Sequence, residues 1–143
     1  MGEHGVACEL CEQPGGILLW QNALARVVLV NDADYPGFCR VILNRHLAEM
    51  SDLPTAEAHQ LLDILLGVER ALRHTLRPDK INLASFGNMV PHLHWHLIPR
   101  YRDDAHFPQA IWAARQRDTS RPAIDMDALL AAITRELAPG ASA

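Results

Sequence analysis

Hydrophobic residues fall into five short stretches whose length and punctuation are typical of β-strands. The pair Gln21 and Asn22 separates the first two stretches and predicts a hairpin with a tight turn. Turn-forming residues precede the third stretch, and Gly87 and Pro91 separate the last two. The predicted strands cover residues 17–20, 24–30, 38–43, 81–86 and 93–98.

Apolar residues at helical spacing predict a long helix between the third and fourth strands. It begins near residues 51–54 and continues to about Leu76. A second helix is predicted over residues 125–136. Strands in runs with one long helix between them favour an α+β domain, in which a five-stranded antiparallel sheet is followed by a short C-terminal helix.

The composition is that of one globular domain. With 143 residues, 49% of them hydrophobic, the chain has enough apolar side chains for a single core. We therefore expect one domain over residues 1–143, with a frayed tail at residues 139–143.

The net charge of the chain limits the classes of partner that it is expected to bind. A formal net charge of −4 supplies no cationic field for a nucleic acid polymer or an acidic membrane surface. The first residues lack the pattern of a secretory signal, and no stretch approaches the roughly 18 apolar residues of a membrane span. Three cysteines argue against a disulfide framework, so we expect a cytoplasmic protein with Cys39 in the core.

The segment His-Leu-His-Trp-His-Leu-Ile at residues 92–98 carries the strongest chemical signal. In a strand, His92, His94 and His96 would share one face, while the intervening Leu and Trp residues would face the core. An unprotonated imidazole is a good nucleophile, and neighbouring imidazoles can donate hydrogen bonds to phosphate oxygens. Two alternatives stay open: polar residues with a structural role, or ligands of a metal ion.

This segment matches the His-φ-His-φ-His-φ-φ signature, in which φ is hydrophobic, and thereby resembles the histidine triad (HIT) superfamily of nucleotide hydrolases and transferases. The resemblance extends to the paired early strands, to Asn-Arg-His at residues 44–46, and to the loop Asn-Leu-Ala-Ser-Phe-Gly-Asn before the triad. Within this superfamily, the chain is similar to a bacterial branch of diadenosine polyphosphate hydrolase-like HIT proteins. The resemblance implies a HIT-like fold, usually a homodimer, that binds a nucleoside phosphate against the sheet.

The resemblance also implies roles for individual residues. His94 would attack the α-phosphorus to form a covalent nucleotidyl-histidine intermediate, and His96 would contact the phosphate oxygens, with His92 as the third member of the triad. Asn82 and Asn88 would supply further donors. Where many family members carry a hydroxyl residue before the triad, this chain has Met89, so the leaving-group preference is open.

A zinc site is implied by the same resemblance. Cys8 and Cys11 have the two-residue spacing that lets two thiolates reach one ion. In several HIT relatives such a pair binds zinc together with two histidines that correspond to His46 and His92. The alternative is that the cysteines are ordinary small residues and that His46 orients the active site.

Three further positions carry weaker signals. Asn31 and its neighbour Asp32 stand where HIT relatives often contact the ribose hydroxyls, although a plain turn role is the alternative. Arg100 could meet the distal phosphate or be solvated. Trp112 could close over a base, cover a dimer interface or simply pack.

We therefore expect a nucleotide hydrolase or nucleotidyl transferase. Its substrate would be a small nucleotide, either a dinucleoside polyphosphate or an adenosine phosphoramidate. The chain would carry a structural zinc ion and no organic cofactor. The alternative is a zinc-containing nucleotide-binding or interaction module with little turnover. The physiological substrate and the base preference do not follow from the sequence.

Overall fold

A five-stranded antiparallel sheet forms the centre of the molecule, as predicted. The computed structural model describes residues 7–138, so the expected frayed tail at residues 139–143 lies outside the described residues. Within them the strand order is β1-β2-β3-β5-β4, and each neighbouring pair is antiparallel. The strands are β1 Ile17–Gln21, β2 Ala25–Leu29, β3 Cys39–Leu43, β4 Lys80–Ala84 and β5 His94–Arg100.

Three α-helices accompany the sheet in this part of the chain. The predicted long and C-terminal helices are confirmed as α2, Thr55–Leu76, and α3, Met126–Glu136. Asp125 caps α3 by accepting a hydrogen bond from the amide of Ala128. The helix α1, Glu9–Glu12, was not predicted, because a single turn is too short to show apolar periodicity.

The sheet separates an apolar core from a second, more polar face. Val27, Val41 and Leu97 are fully buried between the sheet and the helices α2 and α3. Antiparallel pairing places Arg40 opposite His96 and Ile42 opposite His94, so these four residues share the other face. We call this the polar face.

The N-terminal segment of residues 9–16 covers one half of the polar face. Leu10 packs against Val28 and Ile42. Arg26 donates hydrogen bonds to three carbonyl groups of the segment, those of Leu10, Gln13 and Pro14. A buried leucine and a bound arginine therefore hold this short helical turn against the sheet.

Gly15 permits the close approach of this segment. Its φ of +85° is unfavourable for residues with a side chain, and an added Cβ would lie 2.7 Å from the Ile42 side chain. The Gly15 carbonyl accepts a hydrogen bond of 3.0 Å from Arg40. A side chain at this position would push the segment away from β3.

The other half of the polar face is covered by the segment after β5, which is held by a buried ion pair. Arg100 and Asp104 are 2% and 0% exposed and form two hydrogen bonds of 2.8 and 3.1 Å. Burial alone would raise the pKa of Asp104, but hydrogen bonds from Arg100 and from backbone amides outweigh it and hold the pKa below its usual range. The Tyr35 hydroxyl donates to the same carboxylate.

Replacing Asp104 with asparagine is expected to lower the free energy of unfolding by about 3–5 kcal/mol, because the Arg100 charge would stay buried without its partner. Urea denaturation measures this loss. Asp103→Asn is the matched control, since Asp103 is 80% exposed and its ion pair with Arg121 should contribute less than about 1 kcal/mol. Equal small losses in both variants would contradict a stabilising role for the buried pair.

Candidate active site and metal centre

A cavity of about 410 Å³ opens on the polar face. Its floor consists of Arg40 from β3 together with His94 and His96 from β5. One wall is the N-terminal segment at Glu9 and Leu10, and the opposite wall is the loop of residues 86–90. Trp112, from the segment after β5, completes the lining.

His94 is fixed in one tautomer by the backbone. It is 8% exposed, and its Nδ1 lies 2.6 Å from the carbonyl oxygen of His92. A carbonyl oxygen only accepts, so Nδ1 carries the proton and Nε2 keeps a lone pair in the neutral ring. The Ser85 hydroxyl donates to the His94 carbonyl at 2.7 Å and ties the strand to the preceding loop. The ring is thus prepared to act as a nucleophile through Nε2.

His96 lies in an aromatic environment beside His94. The two imidazole centroids are 5.0 Å apart, and the rings of Phe38, Phe86 and Trp112 lie 5.7, 6.3 and 5.3 Å from His96. Burial lowers the pKa of His96 to about 4, and charge at His94 and Arg40 adds to the effect. Its Nδ1 is buried without a partner among the described residues. His96 is therefore a neutral imidazole near pH 7.

This low pKa gives the folded protein a defined pH dependence. Between pH 6.5 and 4 an unfolded His96 binds a proton and the folded one does not, so the free energy of unfolding falls as the pH is lowered through this window. The contribution is complete above pH 6.5, and about 3 kcal/mol is lost by pH 4. Urea denaturation at several pH values should show a loss that is larger in the wild type than in His96→Gln by this amount, while the lowered pKa of His92 contributes to both proteins.

His59→Gln serves as the control, because His59 is exposed on α2 and should leave the wild-type slope unchanged. Imidazole NMR signals provide a second readout, in which His96 should titrate near pH 4. A His96 titration near pH 6.5 would contradict the effect of burial.

His92 does not share the cavity face with the other two histidines, so the expectation of three aligned imidazoles needs correction. The strand begins only at His94, and His92 lies before it, fully buried. Its Nε2 lies 2.6 Å from the carbonyl oxygen of Leu43 and must donate to it. Its Nδ1 therefore carries a lone pair, and this nitrogen faces the side chains of Cys8, Cys11 and His46.

These four side chains form a cluster with the geometry of a metal site. Their sulfur and nitrogen ligand atoms all lie within 4.8 Å of one another. The Nδ1 atoms of the two histidines are 3.3 Å apart. The sulfur of Cys8 lies 3.5 Å from Nδ1 of His92, and the sulfur of Cys11 lies 3.4 Å from Nδ1 of each histidine. The cluster consists of Cys8, Cys11, His46 and His92.

A tetrahedral zinc ion fits these distances. Bonds of about 2.3 Å to sulfur and 2.0 Å to nitrogen would separate two nitrogens by about 3.3 Å and a nitrogen from a sulfur by about 3.5 Å. The hydrogen bond from His92 to Leu43 orients one ligand, as outer partners commonly do for metal-bound histidines. The donor set, the spacing and the orientation therefore suit a closed four-ligand site.

The remaining predicted site residues are placed as follows. Asn88 lines the cavity. Arg100 is neither solvated nor part of the cavity lining, and it donates to Asp104 and to the side-chain oxygen of Asn82. Asn31 is exposed after β2 and is likewise not among the lining residues.

The structure gives the contacts of three further residues. The Asp32 side chain accepts from the amide of Asp34 at 3.0 Å, which is a turn role. Trp112 is 54% exposed and packs against Phe86 with ring centroids 5.1 Å apart, so it borders the cavity. Cys39 is fully buried, as predicted.

Sequence reasoning did not identify several cavity residues, among them Arg40, Glu9 and Leu10. Arg40 is a charged residue within an otherwise apolar strand, and this was a signal that could have been used. Glu9 and Leu10 stand between the two cysteines of the predicted metal motif, and they also form part of the cavity wall. The motif predicts a role for the cysteines and none for the two residues between them.

Comparisons with known proteins agree with this geometry. A family model described as HIT domain matches residues 13–103. The AP-4-A phosphorylase of Mycobacterium tuberculosis is 27% identical over 117 residues, which are 74% of this chain and 60% of that protein. The bis(5'-adenosyl)-triphosphatase of Saccharomyces cerevisiae is 33% identical over 73 residues, which are 47% of this chain and 35% of that protein. The chain therefore spans only part of the length of these relatives.

Solved structures share the fold. A histidine triad protein from Bradyrhizobium japonicum is 30% identical with a TM-score of 0.72, over 87% of this chain and 92% of that chain. A zinc-bound histidine triad family protein from Mycobacterium smegmatis is 20% identical with a TM-score of 0.64, over 90% and 94% of the two chains. No helix within residues 7–138 is long and apolar enough to cross a membrane.

Proposed function

Because the chain belongs to the histidine triad (HIT) family, we propose that it is a nucleotide hydrolase or nucleotidyl transferase that acts at the α-phosphorus of a nucleoside 5′-phosphate derivative. The observation that carries this proposal is the fixed tautomer of His94, whose Nε2 lone pair lies on the polar face beside a neutral His96. The names of the two relatives, both of which refer to adenosine compounds, support a nucleotide substrate.

The reaction proceeds in two displacements at phosphorus. His94 Nε2 forms a bond to the α-phosphorus, and the bond from phosphorus to the leaving group breaks, so that the leaving group takes the electron pair and later a proton. Water then attacks the same phosphorus, breaks the phosphorus–nitrogen bond and releases a nucleoside 5′-monophosphate. With another acceptor in place of water the same intermediate gives nucleotidyl transfer.

Donors around His94 stabilise the charge on the phosphate oxygens. His96 faces the same cavity, and Asn88 offers its amide group from the opposite wall. Gly87, with a φ of +74°, lets the loop backbone approach the substrate. Met89 is 93% exposed and has no hydroxyl group, so this residue offers the leaving group no proton donor.

Cys8, Cys11, His46 and His92 are the residues that would hold zinc. With four protein ligands the ion has no open coordination position, and what it supplies is a structural bond between the N-terminal segment and the sheet. In this proposal His92 would be a metal ligand, while its carbonyl oxygen accepts a hydrogen bond from His94 Nδ1.

A homodimer is proposed as well. Leu62 and Leu66 are 46% and 38% exposed, one turn apart on α2, and Leu83 is 39% exposed on the edge strand β4. Two exposed leucines on α2, and a third on a strand with one unpaired edge, support association with a second copy. A cytoplasmic location stays a prediction.

The test of the proposed function is turnover of diadenosine polyphosphates and of an adenosine phosphoramidate by zinc-loaded protein. Samples quenched at neutral or basic pH during turnover should contain protein heavier by one nucleotidyl group, since phosphorus–nitrogen bonds of this kind are labile to acid. Nucleotide binding without any turnover across the panel would instead favour a binding module.

A further inference from the structure

Arg40 carries a positive charge in the cavity that the described residues leave without a counterion. Its guanidinium is half-buried, and burial lowers its pKa despite the opposing charge of Glu9. Among residues 7–138 no carboxylate oxygen lies within 4.0 Å of it. A partly buried cation without a close partner is unfavourable, so the arrangement suits a site that receives an anion.

The hydrogen bonds of Arg40 also support a role in binding an anion. A guanidinium has five N–H donors, and in the described part of the chain only Nη1 finds an acceptor, the Gly15 carbonyl. Nε is buried without one. Arg40 lines the cavity, and its Nη2 has no acceptor among the described residues, so this nitrogen can donate to an anion that enters.

Arg40 is a neighbour in the sheet of His94, the residue proposed to attack phosphorus. It is the cross-strand partner of His96 and lies diagonally from His94, on the same face of the sheet. Arginine binds phosphate in a bidentate manner that a neutral side chain cannot reproduce. On the proposed function, a phosphoryl group attacked by His94 would have its own oxygens, or those of the next phosphoryl group, within reach of Arg40.

We propose that Arg40 is a substrate-binding residue that recognises phosphoryl oxygens of the nucleotide and selects for anionic over uncharged ligands. This inference rests on the proposed function for the identity of the ligand, but it concerns binding and can be tested without turnover. The shared chemistry is a phosphoryl oxygen, which belongs either to the phosphate that is attacked or to its neighbour.

The experiment is isothermal titration calorimetry of zinc-loaded protein with adenosine, AMP and ADP. Arg40→Gln should weaken AMP or ADP binding by about 10-fold or more, the loss expected for one charged hydrogen bond, and leave adenosine binding unchanged. A loss for ADP alone assigns Arg40 to the second phosphoryl group, and a loss for both nucleotides assigns it to the attacked one.

Arg26→Gln is the matched control. Arg26 also holds carbonyl groups of the N-terminal segment, but it does not line the cavity. Zinc content and the free energy of unfolding are measured for both variants. Equal weakening by the two variants, equal weakening for adenosine and the nucleotides, or no weakening at all would overturn the proposal.

Different experimental results would refute the proposed function and the role of Arg40. Binding that depends on Arg40, with no turnover and no nucleotidyl adduct, would refute the enzyme and leave the phosphate site standing. Turnover that is indifferent to Arg40, with unchanged nucleotide affinity, would refute the phosphate site and leave the enzyme standing.

Discussion

Replacing His94 with asparagine is expected to lower kcat by a factor of about 10⁴ or more, which is the scale of loss seen when a catalytic nucleophile is removed. Asparagine is smaller than histidine, but its amide group can still donate to the His92 carbonyl, and it has no nitrogen lone pair that can attack phosphorus. Steady-state kinetics and mass spectrometry of quenched samples measure the two consequences, which are lost turnover and the absence of a nucleotidyl adduct.

The control for this variant is His74→Asn, because His74 is exposed on α2 and distant in sequence from the triad. It should retain wild-type kcat and the adduct. Affinity for AMP should change little in His94→Asn, since the donors of the cavity remain. Equal turnover in the wild type and in His94→Asn would refute covalent catalysis by this residue.

Replacing both Cys8 and Cys11 with serine is expected to reduce bound zinc from one ion per chain to none. The free energy of unfolding at micromolar free zinc should fall by about 5 kcal/mol or more, because a metal that binds only the folded state contributes its binding free energy to stability. Elemental analysis measures the ion, and urea denaturation measures the stability.

Cys39→Ala distinguishes this effect from the general loss of a thiol. Cys39 is buried in the core and belongs to no metal cluster found among the described residues, so its variant should keep one zinc ion per chain. Wild-type protein that contains less than a small fraction of one ion, when purified under reducing conditions with zinc present, would exclude the site.

The local pattern of hydrophobic and polar residues predicted most of the fold. The alternation around residues 93–98 and the helical spacing through Leu76 identified β5 and the long helix, because both elements bury one apolar face against the core. The bounds differ by a few residues at β4 and β5, where pairing with the neighbouring strand decides which residues are extended. The turn α1 depends on contacts with Arg26 and Ile42, which are remote in sequence.

The candidate site was only partly predictable for the same reason. Which histidine faces the cavity depends on where β5 begins, and the partner of His92 Nδ1 is 84 residues away at Cys8. The sequence leaves Arg100 open between a phosphate contact and a solvated side chain, and the structure shows it instead in a buried ion pair with Asp104. Spacing along the chain cannot reveal such pairings.

The single helical turn between Cys8 and Cys11 has a practical consequence for where this domain should be cut. The family match begins at residue 13, so a protein shortened only at its N-terminus to that residue would retain the sheet, α2, α3 and the three histidines of residues 92–96. It would lack two of the four clustered ligands and the Glu9–Leu10 side of the cavity. The part of the chain that matches the family model is thus smaller than the part that encloses the cavity.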